Sequence, residues 1–356
     1  MSIIPDTEKL LNWYDNNGRD LPWRYKNGKK PDPYVVWLSE IMLQQTTVAV
    51  VKDYFKRFII RWPTLFDLSK ANLDDVLKEW SGLGYYARAR NLHKSAEIIS
   101  KEHLGKFPEH KKELILLPGI GDYTAAAILS IAFNKRATAI DGNVERVISR
   151  IFAIIEPLPS SKSYIREKAI EITPMKRYGD YAQAIMDLGS TICLPRNPMC
   201  NECPWEEACQ ARKAGIQQNL PVKKPKKTKP HRKGICFWIT RNDGYVLMRK
   251  RKEKGLLGGM MEIPSTPWEK NIKKLDKALD YAPVKLPIAK WTILLDNIKH
   301  VFSHFNLSLV IASSKVTKHK FDKLTLTKDF VWVNPSQIDQ LAIPSLTKKI
   351  VKVAKK

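Results

Sequence analysis

Cys193-Leu-Pro-Arg-Asn-Pro-Met-Cys200-Asn-Glu-Cys203-Pro-Trp-Glu-Glu-Ala-Cys209 gathers four of the five cysteines of a 356-residue chain into one short segment. Four thiolates spaced C-x6-C-x2-C-x5-C can wrap a single metal centre without a ligand from elsewhere, and only Cys236 stands apart. Independent buried thiols would not cluster in this way. Tetrahedral zinc and a cubane iron–sulfur cluster both take four thiolates at short spacings. The segment therefore marks a metal or cluster site and leaves the two open.

Upstream of the cysteines the chain reads as helix after helix. Tyr34–Thr47, Leu73–Glu79, Ala87–Lys101, Lys111–Leu117, Asp122–Phe133 and Val144–Ile155 each carry apolar residues at helical spacing. Gly82-Leu-Gly84, Pro118-Gly-Ile-Gly121 and Asp141-Gly142 break them. Downstream the texture changes: Gly234–Arg241 and Tyr245–Arg251 flank Asn242-Asp243-Gly244, a hairpin signal. His300–Ser313 and Phe330–Val333 read as strands, and Thr347–Lys356 as a closing amphipathic helix. No internal repeat is visible. The expected fold class is multidomain α and α+β, an all-helical domain followed by a smaller α+β domain. The length agrees, at ~150 residues per domain.

The chain carries 61 Lys+Arg against 36 Asp+Glu, a net charge of +25. Residues 1–222 hold +5 of this and residues 223–356 hold +20. The change falls at Lys-Lys-Pro-Lys-Lys-Thr-Lys-Pro-His-Arg-Lys (223–233), where prolines break structure and cations repel, a linker signature. The expected domains are thus 1–222 and 234–356, joined by a basic linker. Such a linker suits a phosphate backbone and equally a solvated tether; the +20 of the second half tilts the balance toward nucleic acid. An apolar content of 44% excludes a wholly disordered chain. Five cysteines are too few for a disulfide-stapled secreted scaffold. No apolar run approaches the ~20 residues of a membrane span. Pro5, Asp6 and Glu8 before Leu10 do not form a signal peptide. The expectation is a soluble intracellular protein with a polyanionic partner.

Three positions carry candidate chemistry. In Leu117-Pro-Gly-Ile-Gly121, Gly119 and Gly121 permit positive φ and expose backbone N–H groups to a phosphate, although any tight helix–helix turn looks similar. Asp141 opens a helix, the usual place of an N-cap, where N–H groups and the helix dipole favour an ionised carboxylate. Glu40 has Val36, Trp37 and Leu43 as helical neighbours, which raises its pKa unless an arginine pairs with it. Together Glu40 and Asp141 would supply an acid and an anion to one site.

The cysteine spacing after a helical domain resembles the [4Fe–4S] loop of the endonuclease III superfamily of helix-hairpin-helix DNA glycosylases. The resemblance implies a cluster on Cys193, Cys200, Cys203 and Cys209 that orders a basic loop carrying Arg196. It implies that Gly119 and Gly121 form the DNA-gripping hairpin and that Asp141 is the catalytic aspartate. Tyr123 stands where endonuclease III has its lysine, and a tyrosine cannot form an imine, so efficient lyase chemistry is not expected. Trp37-Leu-Ser-Glu-Ile-Met-Leu-Gln-Gln-Thr46, Gly82-Leu-Gly-Tyr-Tyr-Ala-Arg-Ala-Arg90, Asp141-Gly-Asn-Val144 and Met186-Asp-Leu-Gly189 resemble the adenine glycosylase branch from about Leu10 to Lys227.

That branch implies that Glu40 protonates adenine N7 and later handles water. Asp141 would stabilise the sugar cation, with Tyr123 and Asn143 beside the reaction centre. Gln45 and Tyr85 would wedge beside the base opposite a flipped adenine, while ordinary packing stays open for Gln44 and Tyr86. Gly255-Leu-Leu-Gly-Gly-Met-Met-Glu-Ile-Pro264 resembles a remnant of the Nudix segment in a MutT-like domain, with only Glu262 and Glu269 near it. Pyrophosphate hydrolysis is therefore not expected. Phe302-Ser303-His304 resembles the loop that probes 8-oxoguanine. The implied protein is a monomeric, monofunctional adenine glycosylase on double-stranded DNA holding adenine opposite 8-oxoguanine or guanine. It would be cytoplasmic and nucleoid-associated, bacterial in type. The alternatives are an endonuclease III-like glycosylase and lyase, a non-catalytic iron–sulfur DNA-binding module, and a nucleotide-pool hydrolase.

Overall fold

The computed structural model describes residues 4–25, 30–225, 228–271, 275–284, 290–317 and 329–355. Lys226 and Lys227 of the linker and Lys356 of the expected closing helix lie outside them. Two compact units form: Met1–Lys70 with Asn91–Lys226, and Ala71–Arg90 with Lys227–Lys356. The change of unit at Lys226 falls inside the basic segment. Residues 71–90 were expected to belong with the helices, but they group with the second unit.

The helices run α1 (Thr7–Asn17), α2 (Pro33–Leu43), α3 (Val48–Arg61), α4 (Leu65–Lys70), α5 (Leu73–Glu79), α6 (Ala87–Glu102) and α7 (Lys111–Leu114). They continue as α8 (Asp122–Ala127), α9 (Gly142–Ile151), α10 (Lys162–Glu171), α11 (Tyr178–Thr191) and α12 (Gln210–Lys213). In the first unit, Val144, Val147 and Ile148 of α9 pack with Ile185 and Leu188 of α11 and Leu10 and Leu11 of α1. The helix expected over Tyr34–Thr47 ends at Leu43, because Gln45 turns to φ +57°, and α3 restarts at Val48. The helix expected over Asp122–Phe133 gives way to a π-helical turn at Ile128–Ala132.

The second unit holds a mixed sheet: β1 (His231–Arg241), β2 (Val246–Lys250), β3 (Met261–Glu262), β4 (Thr292–Val301), β5 (Asn306–Val316) and β6 (Phe330–Val333). Its order is β3-β2-β1-β5-β4, with β6 also on β2. β1 and β5 pair in parallel along their full length, His231 opposite Asn306 through Arg241 opposite Val316. The hairpin signal holds: Gly244 takes φ +88° between antiparallel β1 and β2. The single strand expected over His300–Ser313 is two strands, turning at Phe302–Phe305. α13 (Leu275–Leu279) and α14 (Ser345–Ala354) complete the unit. Among the described residues no helix is long and apolar enough to cross a membrane.

Candidate active site and cysteine centre

α2 is apolar on nearly every face and buried from Val36 through Met42, so any polar side chain on it is forced out of water. Asp32 caps it through Tyr34 N at 2.8 Å, and Pro33 opens its first turn. Glu40 is the carboxyl held there. Burial pushes it up to about 7; the Tyr123 hydrogen bond and Arg24 oppose that shift, and the charge of Asp141 adds to it. Tyr123 donates its hydroxyl to Glu40 Oε2 at 2.8 Å. Burial and then the charges of Glu40 and Asp141 hold that phenol well above its ordinary value, so it stays a donor. Arg24 is engaged elsewhere: its guanidinium meets Asp187 at 2.5 and 2.6 Å, and Arg19 Nε joins the same carboxylate at 2.6 Å.

Asp141 caps α9. Its Oδ1 accepts from Asn143 N at 2.9 Å and Val144 N at 2.8 Å, and Oδ2 accepts from Asn143 Nδ2 at 2.8 Å. Asn143 Oδ1 in turn accepts from Arg146 Nη2 at 2.9 Å, while Arg146 Nε donates to the Cys193 carbonyl at 2.7 Å. Gly189 lets α11 approach this corner, since a Cβ there would lie 2.6 Å from Asn143 Cβ. Glu40, Tyr123, Asp141 and Asn143 line one cavity of about 500 Å³, together with Gln44, Gln45 and Met186. That size suits an extruded base and its sugar.

The hairpin joins α7 to α8. Gly119 takes φ +81° and a Cβ on it would press on Asn91 at 3.0 Å, so glycine is required twice over. Gly121 corrects the expectation of positive φ, since it is extended at φ −101°; its contribution is an open N-cap, with nothing within 4 Å of where a Cβ would sit. Gln45 is exposed and left-handed, whereas Gln44 Nε2 is tied to Thr124 Oγ1 at 3.2 Å. Tyr85 is likewise left-handed (φ +47°) and 47% exposed, whereas Tyr86 is buried. Both wedge candidates thus occupy a backbone region that non-glycine residues seldom adopt and that is common at ligand clamps. Within the second unit, Tyr85 Oη lies 2.6 Å from Ser303 Oγ, and Phe302 stacks on Trp268 with centroids 5.6 Å apart. His304 is exposed on the same turn.

All four clustered cysteines line one cavity with Arg150 and Arg212, and none of them is in a disulfide. Arg150, fully buried, donates to Cys193 Sγ at 3.2 Å and to the Leu194 carbonyl at 2.7 Å. Arg196 is exposed on the loop. Sequence reasoning missed Arg24, Asp187, Arg146 and Arg150. The last two sit three and seven residues beyond Asn143, one helical face along, which is the signal that was available.

Residues 38–175 match the HhH-GPD superfamily base excision DNA repair protein family, and residues 235–353 match the NUDIX domain. An adenine DNA glycosylase of Buchnera aphidicola subsp. Schizaphis graminum is 36% identical over the full length of both chains. The chain belongs to the adenine DNA glycosylase family. The human adenine DNA glycosylase is 32% identical, the match covering 97% of this chain and 73% of that protein. Among solved structures, a thermostable thymine-DNA glycosylase superposes with a TM-score of 0.52 at 29% identity, over 58% of this chain and 95% of that one. An adenine glycosylase thus combines a helix-hairpin-helix unit with a Nudix-like sheet, as its sequence led one to expect.

Proposed function

We propose that the cavity around Glu40, Tyr123 and Asp141 hydrolyses the N-glycosidic bond of an adenine mispaired with 8-oxoguanine, or with guanine, in double-stranded DNA. Membership of the family makes the chain a DNA N-glycosylase of base excision repair that removes adenine and is monofunctional. The observation that carries the site is a buried carboxyl poised near neutrality, hydrogen-bonded to a phenol, facing an aspartate fixed on a helix N-terminus. In this reading Glu40 gives its proton to adenine N7. The C1′–N9 bond breaks with its electron pair leaving on the base, and the Asp141 carboxylate offsets the sugar cation. Water then adds to C1′ and its proton returns to Glu40. Asn143 keeps Asp141 aimed. Gln45 and Tyr85 fill the stack beside the opposite base, Gly119 and Gly121 hold the backbone, and Phe302, Ser303 and His304 meet the oxidised guanine.

Cys193, Cys200, Cys203 and Cys209 are assigned as ligands of a [4Fe–4S] cluster. Four cysteines around one cavity, with a buried guanidinium on one sulfur, suit an anionic thiolate-bound group. Held by these residues, it would supply architecture, while Arg150 of α9 already ties the loop 193–209 to that helix through Cys193 and Leu194. The Nudix-like sheet is assigned no hydrolysis, because Glu262 is taken up by Arg249 and Arg251. The protein is read as a monomer working on nucleoid DNA, which its +25 charge favours.

The test is a gel assay on duplexes with one adenine opposite 8-oxoguanine, with and without hot alkali. Breaks appearing only after alkali support base removal without lyase action. Breaks without alkali indicate another amine nucleophile. Absence of product from cluster-loaded protein overturns the assignment of the cavity.

A further inference from the structure

Glu262 lies in the segment 255–264 that resembles a Nudix remnant, 5% exposed on a two-residue strand and claimed by two arginines. Its Oε1 accepts from Arg249 Nε at 3.0 Å and Nη2 at 2.6 Å, and its Oε2 accepts from Arg251 Nη1. Burying such a triad costs desolvation, and apolar residues of equal volume would often be as stable, so stability alone is a poor reason to keep it. Arg251 is the informative partner. Its Nε donates to the Leu256 carbonyl at 3.1 Å, and its guanidinium lies 5.6 Å from the centroid of Trp268, the ring on which Phe302 stacks.

Leu256 belongs to a tight loop whose next turn is fixed by Gly258, where a Cβ would fall 2.1 Å from the Glu253 carbonyl. The Gly258 carbonyl accepts from Arg90 Nη1 at 2.6 Å. Arg90 lies five residues after Tyr85, whose hydroxyl meets Ser303. From Glu262 through Arg251, one line of contacts reaches Phe302 by way of Trp268; the other reaches the loop at Leu256–Gly258, on which Arg90 donates five residues along the chain from Tyr85.

We propose that Glu262 is a positioning residue for recognition of the base opposite adenine, holding Arg251 so that Phe302–Ser303 and Tyr85 are presented in one fixed register. This rests on the reading of Phe302-Ser303-His304 as the turn that probes guanine oxidation.

The experiment measures single-turnover adenine excision opposite 8-oxoguanine and opposite guanine, using full-length, cluster-loaded protein. Glu262→Gln keeps the shape and removes the charge, and Arg251→Lys keeps the charge but loses the fork. Each lowers the 8-oxoguanine to guanine rate ratio by about fivefold, the size of coupling expected through a short packed network. Amide exchange in the segment 300–306 quickens in both. Ser303→Ala is run alongside to test the underlying reading. If Ser303→Ala lowers the ratio while the folded variants leave it unchanged, the proposal is overturned and the reading stands. If Ser303→Ala itself leaves the ratio unchanged, the reading falls and takes the proposal with it. Should Glu262→Gln fail to fold, Arg251→Lys decides. A lower melting temperature with an unchanged ratio counts against the proposal, because that is what a purely structural ion pair would give.

Discussion

Burying the Glu40 carboxyl costs stability, and the sign of that cost can be checked. Its carboxyl binds a proton more tightly folded (about 7) than unfolded, so stability falls as pH rises from the ordinary carboxylate range to 7 and then levels off. The full difference approaches roughly 3 kcal/mol. Glu40→Gln should therefore gain that much relative to wild type between pH 4 and pH 8, measured by denaturant unfolding, while still binding duplex and losing excision. Wild-type excision should decline about tenfold per pH unit above 7; a rate that stays flat to pH 9 would remove Glu40 from the acid role. Asp141 tests differently, because its capping and its charge can be separated. Asparagine is as good an N-cap as aspartate. Asp141→Asn should fold with a stability change of a few tenths of a kcal/mol and lose on the order of 100-fold or more in single-turnover excision. Equal loss of folding and activity would reduce Asp141 to a cap. These two residues were legible in the sequence because their chemistry is local: an acid inside an apolar helix, and an aspartate at a helix start. Asp187 was not, since its partner Arg24 lies 163 residues away and no local pattern joins them.

Elements bring such distant groups together, and α9 with α11 does most of it. Asp141 and Asn143 sit at the first turn of α9, Arg146 and Arg150 follow on the same helix, and α11 lies against them because Gly189 has no side chain. Gly189→Ala should displace Asn143, at a cost of about 1–3 kcal/mol for the overpacked contact. Loss of Asn143 Nδ2 from Asp141 should slow excision without changing iron content, read from single-turnover rates beside visible absorption. A rate equal to wild type would mean that Asn143 does not aim Asp141. Element boundaries were harder to read than element existence. The end of α2 was missed because Gln44, Gln45 and Thr46 carry no glycine or proline, and only the left-handed Gln45 stops the helix. The turn at Phe302–Phe305 was hidden for the same reason: it has no glycine or proline, and only the antiparallel pairing of Val301 with Asn306 shows that the chain reverses there. The Asn242-Asp243-Gly244 turn was plain because Gly244 needs its positive φ.

Charge works on the scale of the whole molecule, because its sum and not any one contact sets affinity for a polyanion. Residues 223–356 carry +20 of the net +25, and the excess begins at Lys223 and Lys224, both exposed. The sequence left two roles for this segment, phosphate contact or solvated tether, and they predict different salt behaviour. Each cation that neutralises a phosphate contributes about 0.9 to the slope of log affinity against log salt, whereas a tether contributes nothing. Substituting Lys223 and Lys224 together by glutamine should therefore flatten the slope by about 2 if both lie on the backbone. The loss should be the same for duplexes holding adenine opposite 8-oxoguanine and opposite guanine, because phosphate contacts position the protein and do not read bases. A titration by anisotropy over a range of salt, with both duplexes, measures slope and ratio at once. An unchanged slope would assign the segment to the tether; a changed ratio would show that it shapes the reading surface and does not merely draw the protein to DNA.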